Sequence, residues 1–466
     1  MRIYSILEGN LIMQLQATKI SMQSLSSLCD EYKKNNYISP EDFKKYDVKR
    51  GLRNADGSGV MAGLTHICNV HGYMHSDGER IPDEGRLVYR GINVQDIIEG
   101  CQKENRFGFE EVAWLLLFGE LPDKEKLTGF QEILGECREL PEFFAEDMIL
   151  KSPSPNVMNK MARSVLALYS YDHNPDNTAI PNVLRQSIEL IAQLPTIMNY
   201  AYQVKSRQYD HKSMFFHPID PTHSTAESIL SSIRADRQFT DEEAKLLDIC
   251  MILHADHGGG NNSTFSTRVL SSSGTDTYSA IAAAIGSLKG PLHGGANAKC
   301  SEMLGFLRDE INDPEDDDEV KACLEAILKK EKGDGSGKIY GMGHAIYTLS
   351  DPRAIILREN VRNLAHQKGL GRDFRIMEQV EKLTPEVFKA VKGSDKPICA
   401  NVDCYSGIVY RALGIPEDLF TPLFAISRIP GWCAHRIEEL VAGGRIIRPA
   451  YRALHVKKPY VSMDER

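Results

Sequence analysis

Three segments of the sequence place a histidine or an aspartate at a break in a helical pattern. His293 lies in Gly290-Pro-Leu-His-Gly-Gly-Ala-Asn297, where proline and glycine end the preceding helix and let the backbone approach a bound molecule. His344 follows Gly-Met-Gly, and Asp403 follows Asn-Val. Side chains in such positions are poorly placed for core packing. Two imidazoles and a carboxylate on separate loops predict an acid/base site.

Asp403 has two compatible interpretations. It lies between two apolar stretches, just before a helical pattern that reaches Leu413. A carboxylate partly withdrawn from water gains proton affinity, which suits a general base. Aspartate is also a good helix N-cap. The sequence leaves both roles open.

A further histidine pair, His254 and His257, has a spacing that puts both side chains on one helix face. The spacing would suit metal ligands, but no third ligand follows nearby, and Gly258-Gly-Gly-Asn-Asn262 ends the helix. We therefore expect His257 at a helix C-terminus, where the dipole favours a protonated imidazole that can bind a carboxylate. A capping histidine without a further role is an equal alternative.

Three arginines are candidates for binding an anion. Arg353 follows His344 by nine residues in an Asp-Pro-Arg sequence, which is also a common structural turn. Arg428 interrupts an apolar stretch, and an arginine in such surroundings needs an anionic partner. Arg448 lies in a basic tail and, taken alone, is typical of solvated surface.

Helical patterns dominate the rest of the chain. Two short strand candidates, Ile67–Tyr73 and Arg86–Arg90, are placed to pair, and no βαβ alternation or Gly-rich dinucleotide fingerprint is present. The sequence therefore predicts a mainly α-helical fold. The predicted helices are Glu110–Phe118, Val183–Val204 with Pro195 as a kink or boundary, Asp241–Leu253 with a capping box of Thr240 and Glu243, Thr275–Leu288, Val320–Lys330 after an acidic run, Pro416–Ile426 and His435–Leu440.

Two stretches are predicted to be loops. The first is His173–Asn182. The second, Gly333–Gly343, has five glycines and Lys338 and lies directly before His344. A Gly-rich segment next to a candidate catalytic histidine favours a part that closes over a ligand, and a solvated linker is the alternative.

The bulk properties exclude several classes of protein. The chain has 466 residues, long enough for two domains, and its net charge of -9 argues against a nucleic-acid binder. No stretch approaches the roughly 18 apolar residues of a membrane span. Residues 1–20 resemble neither a signal peptide nor an Arg-rich transit segment. Ten scattered cysteines without a Cys-x-x-Cys pair are typical of a reducing compartment, so we expect a cytoplasmic protein.

Taken together, these segments resemble the citrate synthase family. Each motif is weak alone, but the ordered set is specific, and the resemblance extends from about Gly57 to about Arg452. The matching pieces are Glu84–Gly91, His254-Ala-Asp-His257, Gly290–Asn297, Gly341–His344, Asp351-Pro-Arg353, Val402–Gly407, Ser427-Arg428 and Arg448-Pro449.

The resemblance implies an all-α fold in which a small helical domain closes over a large one. The implied division is an N-terminal arm at 1–56, a large domain at 57–293 and 405–466, and a small domain at 294–404. The family also implies a homodimer in which Arg448 reaches the partner's active site.

The resemblance also implies the chemistry. Asp403 would take a proton from the methyl group of acetyl-CoA, and His293, as a neutral donor, would stabilise the resulting enol. His344 would polarise the ketone of oxaloacetate, giving citryl-CoA, which water hydrolyses. The family's positions for binding oxaloacetate are His257, Arg353, Arg428 and Arg448. Those for binding CoA are Lys338, Gly341, Met342 and Gly343. No tightly bound cofactor and no metal are implied.

Some features depart from the family or leave alternatives open. Thr348 stands where many relatives have a basic residue for a CoA phosphate, and the acidic run 313–319 is unfavourable to an anionic cofactor unless it points away. A 2-methylcitrate synthase that uses propionyl-CoA would have the same catalytic residues. Two alternatives come from other classes of protein. One is a helical scaffold that lost its catalytic activity, and the other is a metalloenzyme that uses His254 and His257.

Overall fold

A computed structural model describes residues 21–54, 56–76 and 79–466 of the chain. The prediction that residues 1–20 resemble neither a signal peptide nor a transit segment concerns residues outside the described part of the chain. The chain forms two compact units. One comprises residues up to Val60 together with Ala450–Arg466, and the other is Met61–Pro449.

The first unit contains two short helices, α1 (Met22–Asn35) and α2 (Pro40–Lys45). Each begins after a serine whose side chain accepts a backbone N–H of the first turn, and α2 has proline in that turn. The guanidinium of Arg452 lies 5.2 Å from the ring centre of Tyr46. This part of the predicted N-terminal arm is therefore helical.

The second unit begins with an antiparallel hairpin of β1 (Cys68–Ser76) and β2 (Glu79–Tyr89). A short strand, β3 (Ile92–Asn93), pairs with β2. The predicted pairing is confirmed, and both long strands exceed their predicted lengths. The rest of this unit is helical, so the predicted all-α class is confirmed with this one sheet added.

The helices of the second unit follow in chain order, and among the described residues none is both long and apolar enough to cross a membrane. They are α3 (Val94–Lys103), α4 (Phe109–Phe118), α5 (Lys124–Glu136), α6 (Val157–Leu168), α7 (Ile180–Tyr209), α8 (Thr225–Ile233), α9 (Asp241–His254), α10 (Asn262–Ser271), α11 (Thr277–Leu288), α12 (Ala296–Glu310), α13 (Asp317–Lys329), α14 (Pro352–Gln367), α15 (Gly371–Lys392), α16 (Asp403–Ala412) and α17 (Phe420–Val441).

Local capping chemistry explains several helix ends. The predicted capping box of Thr240 and Glu243 starts α9, with both reciprocal hydrogen bonds present. Helix α4 ends at Gly119, whose φ of +92° belongs to the left-handed region. In α13, Asp316 is the N-cap, and three acidic residues fill the first turn, where the helix dipole favours them.

Three helix ends differ from the prediction, each near a proline. Pro195, predicted as a kink or a boundary, lies inside α7, so the boundary is wrong. Pro430 lies inside α17, which joins the two predicted helices 416–426 and 435–440 into one. Buried side chains flank both prolines, and their packing offsets the missing backbone hydrogen bond. Pro181 stands in the first turn of α7, where its missing N–H costs little, so the predicted loop 173–182 is shorter.

Helix α17 is central to the second unit. It packs against α4, α7, α9, α10 and α11, and its residues 422–436 are almost all buried. Helices α12 to α16 pack chiefly on one another. The division at 294–404 into a small domain stays a prediction.

The cysteines are all unpaired, and eight of the ten are buried. They serve as small apolar residues, as the sequence predicts.

Candidate active site

A short antiparallel bridge connects the loops of two candidate catalytic residues. Residues 341–343 pair with 399–401, and backbone N–H groups donate across the bridge at 2.7 and 2.8 Å. His344 directly follows the first segment, and Asp403 lies two residues beyond the second. The side-chain amide of Asn401 also donates to the carbonyl of the residue before His344 at 2.9 Å. The bridge therefore positions the imidazole and the carboxylate together.

Gly341 is required by this bridge. Its φ is +82°, and a Cβ there would lie 3.0 Å from the Cα of Cys404 and 3.0 Å from the Sγ of Cys300. Only a residue without a side chain fits both the backbone conformation and the close approach.

His344 has a defined tautomer. Its Nδ1 accepts the backbone N–H groups of Ile346 and Tyr347 at 3.0 and 3.1 Å. A nitrogen that accepts two hydrogen bonds carries no proton, so the ring proton lies on Nε2. His344 can therefore donate from Nε2 to a substrate oxygen.

Asp403 is the first residue of α16, and Val402 occupies the N-cap position. The predicted N-cap role is therefore wrong, and the backbone N–H of Asp403 instead donates to Oδ1 of Asn401 at 2.9 Å. Burial raises the pKa of Asp403 to about 6, against the lowering effects of Arg353 and of a hydrogen bond from Asn297. Such a carboxylate is ionised near neutral pH and still basic enough to take a proton.

His293 lies in the turn between α11 and α12. Its Nε2 is 3.1 Å from Oγ of Ser263, which also accepts the indole N–H of Trp432 at 3.1 Å. Burial and the charge of Arg428 lower the pKa of His293 to about 4. The imidazole is thus neutral at physiological pH, as its predicted role as a neutral donor requires.

His257 lies three residues beyond the end of α9 and is buried. Burial and the nearby charges of Arg353 and Arg428 hold its pKa well below the usual value. The expected protonated imidazole is therefore wrong, since desolvation and cationic neighbours outweigh the helix dipole. Its Nε2 is buried without a hydrogen-bond partner, and its ring centre lies 5.1 Å from that of His344. A neutral His257 can still donate an N–H to a carboxylate.

The side chain of His254, the other member of this pair, contacts other groups of the protein. Its Nδ1 donates to the backbone carbonyl of Cys250 at 2.7 Å, and its ring packs edge-on against Phe424 with centroids 4.5 Å apart. The described residues contain no group of three or more His, Cys, Asp or Glu side chains arranged to hold a metal ion.

Arg353 is buried in an ion pair with Asp351. Its Nε and one terminal nitrogen donate to the two carboxylate oxygens at 3.0 and 2.7 Å. Asp351 also accepts the backbone N–H of Arg353 as the N-cap of α14, so the structural turn predicted for Asp-Pro-Arg is confirmed. The pair fixes this guanidinium close to Tyr347, whose ring centre lies 5.4 Å from it.

Arg428 is fully buried in α17. Its Nε donates to the carbonyl of His254 at 2.6 Å, and both terminal nitrogens are buried without a partner. Buried guanidinium nitrogens require hydrogen bonds, and a carboxylate matches two of them at once. The two unpartnered nitrogens are the physical reason why Arg428 needs an anionic partner, as the sequence predicts.

Two aromatic residues of the site were missed from the sequence. The ring centre of Tyr347 lies 4.7 Å from that of His344 and 5.5 Å from that of His257. Phe424 lies between His254 and His293, with centroid distances of 4.5 and 6.5 Å. Isolated aromatics in apolar stretches carry no signal that separates them from core residues. Ser263 was also missed, because a serine in the first turn of a helix is common and does not by itself indicate a site.

The candidate CoA-binding segment forms an irregular loop. Its glycines at 333, 335, 337, 341 and 343 all have positive φ. The hydroxyl of Tyr340 donates to Asp334 at 2.6 Å, which closes the loop on itself. Lys338 is exposed, and Met342 belongs to the bridge described above. The role of Lys338, Gly341, Met342 and Gly343 in binding CoA stays a prediction.

The two departures from the family pattern have structural explanations. The hydroxyl of Thr348 donates to the carbonyls of Gly72 and Asp83, the latter at 3.3 Å, and so attaches the His344 loop to the hairpin. The acidic run pairs with α15 through Glu315–Arg375 at 2.6 Å and Asp317–Lys382 at 2.7 Å, which offsets part of its charge.

Arg448 lies in the extended segment after α17 and is exposed. The other residues predicted for catalysis or oxaloacetate binding are buried or partly buried, so this arginine differs from them. Its contribution to a partner's site stays a prediction.

Residues 55–450 match the family model described as "Citrate synthase, C-terminal domain". The chain is 34% identical over 417 residues to the citrate synthase of Synechocystis sp., a match that covers 88% of this chain and 93% of that protein. It is 33% identical over 373 residues to the 2-methylcitrate synthase of Shewanella oneidensis, which covers 78% and 89%.

A solved structure is also similar. It is the citrate synthase of Thermoplasma acidophilum in a ternary complex with carboxymethyl coenzyme A and oxaloacetate. It matches with a TM-score of 0.71 at 29% identity, and the match covers 90% of this chain and 99% of that chain.

Proposed function

Because the chain belongs to the citrate synthase family, we propose that it condenses acetyl-CoA with oxaloacetate and water to give citrate and CoA. The observation that carries this proposal is the set of proton states in the site. Asp403 has a raised pKa, His293 is a neutral imidazole, and His344 carries its proton on Nε2. One base and two neutral donors are what an enolisation followed by attack on a ketone requires.

The first step is enolisation of acetyl-CoA. The carboxylate of Asp403 takes a proton from the methyl carbon, and the C–H electron pair forms the enol double bond. His293 donates an N–H to the thioester oxygen, where negative charge develops. For that N–H to lie on Nδ1, Nε2 must accept the hydroxyl proton of Ser263. In the structure this hydroxyl donates to Oδ1 of Asn261 at 2.9 Å, so its proton would have to turn from Asn261 to His293 when acetyl-CoA binds.

The second step is carbon–carbon bond formation. The enol carbon attacks the ketone carbon of oxaloacetate, and the ketone oxygen becomes a hydroxyl with a proton supplied at Nε2 of His344. The product is citryl-CoA. Water then adds to its thioester carbonyl, the C–S bond breaks, and citrate and the CoA thiol are released.

The carboxylates of oxaloacetate would bind to a set of buried donors. Arg428 offers two unpartnered nitrogens, His257 offers a neutral N–H, and Arg353 is held beside them by Asp351. Arg448 of a second subunit would complete the charge, which makes the working form a homodimer. Neutral histidines suit this site, because the positive charge then comes only from arginines and does not change with pH.

The remaining parts of the proposal concern CoA and the setting. The loop with Lys338, Gly341, Met342 and Gly343 would hold the CoA adenine, and the small domain 294–404 would close after oxaloacetate binds. CoA acts as a co-substrate, and we propose no tightly bound cofactor. The enzyme would work in the cytoplasm, in the tricarboxylic acid cycle.

The test is the steady-state release of CoA thiol with oxaloacetate, comparing acetyl-CoA with propionyl-CoA at matched concentrations. We expect kcat/KM to favour acetyl-CoA. Thiol release with neither acyl-CoA would contradict the proposed function.

The second candidate function is 2-methylcitrate synthesis, favoured by the similarity to the Shewanella oneidensis enzyme. The same residues would act, and one additional methylene changes binding by only about 1–3 kcal/mol. A preference for propionyl-CoA in the thiol assay would select this candidate.

A further inference from the structure

A buried chain of polar side chains lies behind the oxaloacetate-binding groups. Asp256 precedes His257, and its Oδ2 lies 3.1 Å from Nε2 of His435 in α17. Nδ1 of His435 lies 2.7 Å from a terminal nitrogen of Arg268 and 3.2 Å from its Nε. Asp256 and His435 are both 0% exposed, and Arg268 is 8% exposed. Nothing in the proposed reaction uses these three residues directly.

Arg268 fixes the tautomer of His435. A guanidinium can only donate, so Nδ1 of His435 accepts and the ring proton lies on Nε2. His435 therefore presents its Nε2–H to the Asp256 carboxylate at 3.1 Å, in an electrostatic contact without hydrogen-bond alignment. At the other end of this row of side chains, Glu438 and Glu439 both accept hydrogen bonds from the guanidinium of Arg268. The bond to Glu439 is 2.9 Å long. The direction of each bond follows from Arg268.

Asp256 remains a carboxylate at the end of this chain. Burial acts to raise its pKa, but His435, Arg428 and the N–H of Gly258 together lower it to about 2. Its Oδ1 accepts that N–H at 2.7 Å, while its Oδ2 faces His435. A Cβ at Gly431 would lie 2.4 Å from Oδ2, so the missing side chain allows this approach to α17.

The position of Asp256 matters for Arg428. Asp256 is near enough to stabilise the buried guanidinium of Arg428. These two described side chains nevertheless form no ion pair within 4.0 Å. The terminal nitrogens of Arg428 therefore stay without a partner. If the carboxylate of Asp256 turned toward Arg428, it would form the charge-assisted pair that a substrate carboxylate should form.

We propose that His435 is a positioning residue for the oxaloacetate site. Supported by Arg268, it holds the Asp256 carboxylate away from Arg428 and so keeps Arg428 open to a carboxylate of the substrate. This inference rests on the proposed function, since it assigns the anion that Arg428 receives to oxaloacetate.

The test uses substitutions of His435 in the full-length protein. In His435→Leu, we expect the Kd and KM for oxaloacetate to rise about tenfold or more, because an internal carboxylate now competes for Arg428. The KM for acetyl-CoA should change less than about threefold. His435→Gln, whose amide can still donate to Asp256, should stay near the wild type. His173→Leu removes an exposed histidine and is the control.

A double variant separates positioning from a general structural role. Adding Asp256→Asn to His435→Leu removes the competing charge, so oxaloacetate binding should recover toward the wild-type Kd, measured calorimetrically. A structural role alone would make the double variant bind more weakly than His435→Leu. If His435→Leu does not fold, His435→Asn carries the same expectation, because its shorter amide does not reach Asp256.

The outcomes are distinguishable. Unchanged oxaloacetate affinity in His435→Leu, or no recovery in the double variant, would overturn the inference while the wild type still condenses its substrates. A wild type that does not bind oxaloacetate would overturn the proposed function and this inference with it.

Discussion

Asp403 and His293 owe their proton affinities to what surrounds them. Both are partly withdrawn from water, and burial always disfavours the charged form. For the carboxylate this raises the pKa to about 6, and for the imidazole it lowers the pKa to about 4. One physical cause therefore makes the first a better base and keeps the second neutral. The role of Asp403 leads to two expected outcomes.

The first concerns Asp403 as the proton acceptor. Asp403→Asn keeps the size of the side chain but cannot take a proton, so kcat should fall by about a hundredfold or more. Binding of oxaloacetate, measured by calorimetry, should be largely retained. Asp395→Asn, which changes an exposed carboxylate paired with Lys389, is the matched control. Near-normal turnover in Asp403→Asn would refute the assignment.

The second concerns pH. The ionised form of Asp403 is the active one, so kcat/KM for acetyl-CoA should be constant above pH 7 and fall about tenfold per unit well below pH 6. His293 stays neutral down to about pH 4, so its protonation adds no second decrease in rate between pH 5 and 8. Rates should be measured from pH 5 to 8, with circular dichroism to verify folding. A profile that stays flat to pH 5 would contradict the raised pKa.

At the scale of elements, the site depends on short irregular segments held by regular ones. The bridge between 341–343 and 399–401 joins two loops, and α17 brings Arg428 to the end of α9. The hairpin contributes as well. A Cβ at Gly72 would lie 2.7 Å from the Cα of Tyr347, so the strand packs directly on the segment after His344. The loops are therefore fixed by contacts with distant parts of the chain.

Gly341 tests the importance of the bridge. Gly341→Ala would strain a φ of +82° and push a methyl group against Cys404, which displaces the loop of His344. A displacement of about 1 Å can reduce turnover about a hundredfold, so kcat should drop strongly. Gly369→Ala is the control, because its φ is +74° and nothing lies within 4 Å. It should lower the melting temperature slightly and leave kcat intact; equal loss of kcat in both variants would contradict a specific role of the bridge.

At the scale of the whole molecule, the proposed oxaloacetate site would be incomplete in charge without Arg448. A single chain leaves this residue exposed, while Arg353 and Arg428 are buried. The proposed homodimer would supply it from the second subunit. An interface with twofold symmetry would give each of two sites one such arginine.

Mixed dimers test this arrangement. An Arg448→Ala chain and an Asp403→Ala chain should each be nearly inactive alone. After subunit exchange, random mixing should restore about a quarter of wild-type activity, because half of the dimers contain one intact site of two. Exchange is verified by native mass spectrometry with one mass-labelled chain. Confirmed exchange without recovery would count against a shared site.

The sequence by itself determined the features that depend on neighbours along the chain. These local features are the capping box at Thr240, the end of α4 at Gly119, the placement of His293 and His344 in breaks between helices and that of Asp403 at a helix start, and the structure has them. The ordered motifs likewise identified the family, because catalytic residue types and their spacing are written in the chain.

The tertiary structure alone decided the features that depend on distant neighbours. Pro195 and Pro430 stay inside helices because burial on both sides outweighs one lost hydrogen bond. Burial, together with Arg353 and Arg428 from other helices, lowers the pKa of His257 and keeps it neutral, contrary to the expectation from its local position. Proton affinity and burial are set by every charge and every apolar surface in reach, and those distances exist only in the folded chain.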